Sequence, residues 1–591
     1  MSKTFPRMGW IIMVALLSLS LAILPACGGG GGGGIAYKNP GVFVQQTIGG
    51  VDSLDPAWAY DTASGEQLYY IYEGLVGYDG TSTATFVGLM ADSWSIAPNS
   101  SQITFHIRPN VRFSNGANMT AEDVEYSFER ALVTDPYSNG GPIWMFLFPL
   151  LDVYDSSGIN ATQIDNAVEV VNSTYVQFNF VRPYPMTTWL QILCGSWGSI
   201  LNKNWTIAQG DWDGTWTNWT NWNNPDHEDL YLDDKTMGTG PWALDVWNAP
   251  SDIKLVKNQY YWKGNGTIPF DTVITQYVDS WASRKLALLA GDADIVYCPR
   301  TNIADLANVT GVNAIKDLFE LSVDALFFNF NITSDSPYIG DGNSTSGNGI
   351  ATDFFTDISV RKGFAHAFNW ATFIAQAMQG EATQRGSPIV SGLPYFNNAT
   401  PMYSFCSTLA KSYLENSAWG NLSVKGFKFT LIYNTGNLVR KAACEILANN
   451  LFAINPKFQV AVLSKTWTGA LSTMKQRQWA MFLIGWLPDY ADPDNFVVPF
   501  MSQYGMFSGP ASYRNATVEA LILEGATCTN ATRRQEIYSA LQQAYYDDVP
   551  GLVTCQPLGR RFFTTYIHGF QFNPTTSGQP GPLYYMTKSN P

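Results

Sequence analysis

The stretch Gly485–Phe496 (GWLPDYADPDNF) constrains this chain more than any other. It places one tryptophan, three aspartates and two prolines directly after the apolar run Met481–Ile484. That run reads as a buried strand. Three carboxylates and a Trp at a strand end suit a site that holds a cationic group against an aromatic wall. Asp-Pro-rich segments are also ordinary turn punctuation, so the rest of the chain must decide.

The N-terminus supplies an address. Lys3 and Arg7 precede an apolar run from Gly9 to Leu24, then Pro25, Ala26, Cys27 and the glycines Gly28–Gly34. A basic segment, a short apolar segment and a small residue before a cut describe a secretory signal. Cys27 resembles the lipidated first residue of a mature lipoprotein. An uncleaved anchor is the alternative, because the run approaches the ~18 apolar residues a span needs. Either way the body is expected outside the cell, on the outer face of the cytoplasmic membrane, with residues 28–40 as a Gly-rich tether.

With 591 residues and 46% hydrophobic content, the chain can bury a large core in two or three lobes. A net charge of −14 without a basic cluster argues against a nucleic-acid partner. Six cysteines follow Cys27, none in a CxxC pair, so zinc-ribbon and thioredoxin motifs are absent. Disulfides are expected among them outside the cell. Asn-x-Ser/Thr sequons, as at Asn118 and Asn515, fit a glycosylated surface, though a chain rich in Asn, Ser and Thr produces many by chance.

Hydrophobic periodicity alternates along the chain. Val42–Val44, Gln102–Arg108, Val176–Phe180 and Phe427–Tyr433 read as strands. Thr120 opens a capping box, and behind it Val124, Phe128, Ala131 and Leu132 share one helix face. Val360, Phe364, Ala367 and Phe368 repeat that spacing, as do Val439, Ala442, Ala443, Ile446 and Leu447. Strands interleaved with helices indicate an α/β protein.

Several segments resemble the extracellular solute-binding proteins of family 5, the dipeptide/oligopeptide type that serves ABC importers. They are Leu89–Trp94 (LMADSW), Thr104–Phe113 (TFHIRPNVRF) and Asn115-Gly116 with Thr120–Arg130 (TAEDVEYSFER). Gly238–Trp242 (GTGPW), Val360–Asn369 (VRKGFAHAFN) and Gly485–Asn495 (GWLPDYADPDN) continue the series in order. The resemblance implies a type II periplasmic-binding-protein fold, with two clamping lobes plus an extra N-terminal lobe. Lobe I would comprise residues 41–73, 186–320 and 550–591, the extra lobe 74–185 and lobe II 321–549. The hinge would fall near Leu321–Leu326 and Val549–Gly551.

The resemblance also implies the site. Asp489 matches the position whose carboxylate meets a peptide's α-ammonium, Trp486 forms a wall, and Gly485 and Tyr490 flank them. Opposite, the segment Tyr60–Gly65 is expected as a loop whose Tyr60, Thr62 and Ser64 approach the ligand. Asp492 and Asp494 are expected to shape their loop, and Arg130 and Arg361 to be solvated or structural. The expected partners are a peptide, permease and ATPase subunits, and the membrane through a lipid on Cys27. The protein is expected to be a monomer with no cofactor and no metal.

Dipeptide binders of this family typically carry an arginine near the strand before the Val439 helix, which holds the ligand carboxylate. Here that stretch is Tyr433–Gly436 (YNTG), without a cation, so longer peptides or another ligand stay open beside dipeptides. Trp205, Trp212, Trp216, Trp219 and Trp222 crowd one polar segment; a surface loop anchored by aromatics is the favoured reading, but exposed tryptophans also stack on sugars. An oligosaccharide-binding importer subunit is therefore the second reading, and a peptide sensor the third. A hydrolase lacks GxSxG and HExxH support, and four scattered histidines disfavour nickel or haem capture.

Overall fold

The computed structural model describes residues 35–134, 141–152, 159–225, 229, 231–576 and 583–590. Cys27 and the polyglycine lie outside the described residues.

A mixed sheet of twelve strands, counted over the described residues, runs through the body. At one end Phe427–Asn434 pairs in parallel with both Phe458–Lys465 and Met481–Trp486. At the other, Val42–Thr47 lies parallel to Thr272–Tyr277, which continues antiparallel to Asp252–Lys257 and Trp242–Asn248. The 14-residue strand Gly551–Thr564 joins the two ends. Its Gly551–Cys555 pairs with Val323–Phe328, its Gln556-Pro557 with Ala382-Thr383, and its Leu558–Thr564 with Val312–Phe319. The exchange of Val323–Phe328 for Val312–Phe319 therefore falls at Gln556-Pro557, several residues beyond the expected Val549–Gly551. One long strand can bond to different partners along its length. Buried Gln556 ties the crossing: its amide nitrogen donates to the carbonyls of Glu320 and Ser391, each at 2.8 Å.

A separate antiparallel sheet takes the order Ala91–Ile96, Gln102–Ile107, Tyr175–Asn179, Val168–Asn172. Helix Ala121–Thr134 packs on it through Val124, Phe128 and Leu132. The capping box forms only in part. Asp123 reaches back to accept from both the amide and the hydroxyl of Thr120, so this hydroxyl donates rather than accepts from the first turn. The core here also takes in Trp189 and Trp212, so its packing extends past residue 185.

Buried Arg130 bonds Asp55 through two nitrogens at 2.6 and 2.7 Å and Asp211 at 2.7 and 3.2 Å. It thereby pins this sheet to the N-terminal segment. Arg361 is equally structural, donating to the carbonyls of Phe355, Thr356 and Asp548.

Two expectations change. Residues 35–40 are not free tether: Lys38 pairs with Asp292 at 2.6 Å, and the Tyr37 ring packs edge-on against Tyr566. The six cysteines after Cys27 are unpaired. Cys194, Cys444 and Cys555 are instead buried in apolar cores, as small hydrophobes often are. Among the described residues, no helix is long and apolar enough to cross a membrane.

Candidate functional site

Strand Met481–Trp486 carries the site. Its first four residues are buried, and its end delivers Trp486 and then Asp489 to a cleft. Asn495 fixes the turn that follows. Its fully buried amide oxygen accepts from the Trp486 indole at 2.9 Å and from the Asp489 backbone amide at 3.0 Å. Its amide nitrogen donates to Asp489 Oδ2 at 2.8 Å. Across the cleft, the Tyr60 hydroxyl donates to the same Oδ2 at 2.9 Å, while accepting from the Trp144 indole at 3.0 Å. Five side chains thus form one chain of hydrogen bonds, Trp144–Tyr60–Asp489–Asn495–Trp486.

The electrostatics of Asp489 are unusual. Burial is the largest influence and pushes its carboxyl up to about 7, against the lowering effect of the bonds from Asn495 and Tyr60. No described lysine or arginine pairs with it. Both side-chain bonds converge on Oδ2, and the residue's own backbone amide adds to their lowering influence. The residue as a whole is half-buried. A desolvated carboxylate with no counter-ion among the described residues is arranged to receive a cation.

A cavity of about 630 Å³ opens beside this network. Tyr60, Trp144, Tyr490 and Trp486 line it together with Met145, Leu147, Leu471, Met474, Val498 and Met506. The volume falls in the range of small-molecule sites, roughly 300–1,000 Å³, and a mostly apolar lining with few polar groups is typical of them.

The structure places Trp486, Tyr490 and Tyr60 on this cavity, whereas Asp489 stands behind Tyr60, bonded to its hydroxyl, and is not among the described lining residues. The Tyr490 hydroxyl is occupied, donating to Asp494 at 2.9 Å. Gly485, Thr62 and Ser64 are not among the described lining residues. Gly485 has a different job: a Cβ there would stand 1.9 Å from Asp324 Oδ1 and 2.7 Å from Arg440 Nη2. The expected loop Tyr60–Gly65 is instead the start of helix Thr62–Ile71. Asp61 caps it by accepting from the amides of Ala63 and Ser64, which favours helix over loop. The buried Ser64 hydroxyl is taken by the amides of Asp52 and Ser53.

Asp492 is held in a two-point pair with Arg534, both contacts at 3.0 Å, and accepts from Thr188 at 2.9 Å. Asp494 lines the cavity, and burial raises its carboxyl to about 6.

Sequence reasoning missed Asn495, Trp144 and Arg440. Asn495 sits inside the quoted stretch, and its place after a run of acids was the available signal. Nothing local marks Trp144. Arg440 supplies a cation four residues beyond the YNTG stretch, from the first turn of helix Leu438–Ile454. Its guanidinium bonds Asp324 at 2.7 Å and Asn434 at 2.9 Å.

The tryptophan-rich segment is mainly packing. Trp212 is fully buried and stacked on Tyr126, with Trp216 tilted against it. Trp219 and Trp222 pack on the same core, and Trp205 on another.

The profile of the bacterial extracellular solute-binding proteins, family 5 Middle, matches residues 85–508. The chain belongs to this family. Similar curated relatives of this family 5 protein include Heme-binding protein A of Haemophilus influenzae, 23% identical over 85% of each chain. The probable D,D-dipeptide-binding periplasmic protein DdpA of Escherichia coli is 24% identical over 88% of this chain and 90% of its own. Among solved structures, the periplasmic binding protein DppA of Helicobacter pylori, in complex with the peptide STSA, superposes with a TM-score of 0.73. It is 21% identical and covers 93% of this chain and 98% of that one. The fold is accordingly the type II periplasmic-binding-protein fold with an added lobe.

Proposed function

We propose that this family 5 protein captures peptides for an ABC importer and grips them by the α-ammonium. The observation that supports this most is Asp489, a carboxylate raised to about 7 by burial, with no described cation beside it. An ammonium bound at Asp489 supplies the missing charge, and Tyr60 and Trp486, which belong to the same chain of hydrogen bonds, line the neighbouring cavity. The peptide-binding relatives favour peptides over other cations. Trp212 is buried and Trp216, Trp219 and Trp222 are partly buried against the same core, which weakens the motive for sugars.

In this reading the cleft closes on the peptide, and the closed form is presented to permease subunits coupled to an ATPase. Residues 41–73, 186–320 and 556–591 form one lobe, 74–185 the extra lobe and 321–555 the second, with movement at the Glu320–Ser322 and Gln556-Pro557 crossings. A monomer suffices, anchored outside the cytoplasmic membrane by a lipid on Cys27. The step is capture without bond chemistry, and selectivity lies in stabilising the closed state.

The test is thermal denaturation of the full chain in mild detergent, with short peptides bearing free or acetylated N-termini. A ligand that binds only the native state raises the melting temperature. A rise with free but not acetylated peptides is expected. Equal rises would remove Asp489 from the mechanism, and no rise with either would bring oligosaccharides forward.

A further inference from the structure

The chain holds 41 asparagines, and 14 of them begin an Asn-x-Ser/Thr sequon with x other than proline. Serine and threonine together make up 89 of the 591 residues, so random placement would give about six sequons. Twelve of the 14 end in threonine and two in serine, although the chain has 47 threonines and 42 serines. Neither the number of sequons nor their choice of hydroxyl follows from composition.

Burial separates the same residues again. Thirteen of the 14 sequon asparagines are exposed, against fewer than half of the other described asparagines. The fully buried ones, Asn202, Asn258, Asn329, Asn495 and Asn573, all lie outside sequons. Asn573 has a threonine two residues on, but Pro574 stands between them and bars the sequon.

The hydrogen bonds divide in the same way. Buried asparagines spend their amide nitrogens inside the fold, Asn258 on the Gly240 carbonyl and Asn495 on Asp489. At Asn99, Asn172 and Asn343 the side-chain oxygen does the bonding. It accepts from both the amide and the hydroxyl of the residue two places on, at 2.8 to 3.2 Å. Asn160, Asn421 and Asn530 cap helices through the same oxygen. In all six, Nδ2 has no partner among the described residues. Asn515 is the exception: it is half-buried, and its Nδ2 donates to Asp548 at 2.7 Å.

We propose that the chain is N-glycosylated at the 13 exposed sequon asparagines and left bare at Asn515. In each, Nδ2 bonds to the anomeric carbon of a glycan delivered as a lipid-linked phosphate ester. The bond from that carbon to the phosphate oxygen breaks, the phosphate leaves with the electron pair, and one amide proton passes to a base of the transferring enzyme. A glycan is bulky, hydrated and solubilising, so it needs an exposed attachment point. No sequon asparagine is among the described residues lining the 630 Å³ cavity, so the coat does not fill it. The inference stands apart from the role of Asp489.

The test takes the full chain from the membranes of its own cells, beside the same chain made by membrane-free translation. Peptide mapping by mass spectrometry reads the sugar on each asparagine. Most of the 13 should carry it in the cellular protein, and none in the membrane-free one. Asn515 should be bare, as should exposed asparagines outside sequons, such as Asn166 and Asn348. In the same cells Thr345→Ala should lose the sugar at Asn343, and Thr345→Ser should keep it. Thr345 is exposed, so both variants should fold as wild type does. Sugar on fewer than half of the 13 overturns the proposal. Sugar on Asn166, Asn348 or Asn515, or on Asn343 in Thr345→Ala, overturns it equally.

Discussion

The Tyr60 hydroxyl donates to Asp489 Oδ2 at 2.9 Å, although the two residues stand 429 positions apart in the chain. One comes from the segment before the first helix and the other from the turn after strand Met481–Trp486. Their bond spans the cleft, so the site exists only when both sides are in place.

Replacing Asp489 with Asn should separate binding from stability. The isosteric amide oxygen can still accept from Tyr60 and Asn495, but the negative charge is gone. Affinity for free-amine peptides should fall by about a hundredfold or more, since losing one partner of a desolvated charge pair costs ~3–5 kcal/mol. The ligand-free protein should melt higher at pH 8. A carboxyl near 3.9 when unfolded, but about 7 in the fold, takes up a proton more readily when folded. Its stabilising contribution is complete below about pH 4 and is lost as pH rises through about 7. Calorimetric titration and melting curves at pH 5 and pH 8 check both parts.

Binding should also be pH-dependent in a defined sense. Below about 7 a proton occupies Asp489 and competes with the ligand's ammonium. Above ~8 the α-amino group itself loses its proton. Affinity for a free-amine peptide should therefore rise from pH 5 to about 7 and decline again beyond ~8. In Asp489→Asn the acid limb should flatten. Isothermal titration across that range reads the result, and an unchanged acid limb would place the titrating group elsewhere.

Much of this was legible in the sequence, for reasons that differ by residue. Strands such as Gln102–Ile107 and Phe427–Asn434, and helices such as Ile358–Ala367 and Leu438–Ile454, follow hydrophobic period, which is a local signal. Asp489 and Trp486 were visible because acids and an aromatic at the end of an apolar strand form an uncommon local pattern. Trp144 and Arg440 were not, because their roles arise from partners far away in the chain. The tryptophan cluster was legible only in kind. A surface loop anchored by aromatics was the favoured reading, and the anchor is Trp212, stacked on Tyr126 of a helix that no local signal could name. Ser64 was read as a loop residue until Asp61 proved to cap a helix there.

Gly485→Ala tests the crossing of strand and ion pair. The new methyl group would collide with Asp324 Oδ1 and crowd Arg440 Nη2. The pair must shift or part, at a cost of about 1–3 kcal/mol for overpacking a tight site. A lower melting temperature is expected, with a smaller loss in Gly485→Ala combined with Asp324→Ala and Arg440→Ala, where the obstacle is gone. Full additivity of the combined variant would show that the glycine serves some other neighbour.

The buried pair of Asp492 and Arg534 should behave as a stability element rather than a ligand contact. Arg534 meets both oxygens of Asp492 and lies beside the stacked rings of Tyr395 and Tyr538, each about 5.2 Å from its guanidinium. Arg534→Met leaves Asp492 buried without a counter-charge, next to Asp494, whose carboxyl the Asp492 charge already helps to raise. Removing one member of such a pair costs ~3–5 kcal/mol, whereas replacing both members with uncharged groups costs far less. The Arg534→Met variant should therefore melt well below wild type, and the Asp492→Asn/Arg534→Met double variant should recover much of the loss. Peptide affinity in the double variant should stay near wild type, because Asp489 keeps its bonds to Tyr60 and Asn495. A double variant that melts normally but binds no peptide would move Asp492 from the scaffold into the binding site.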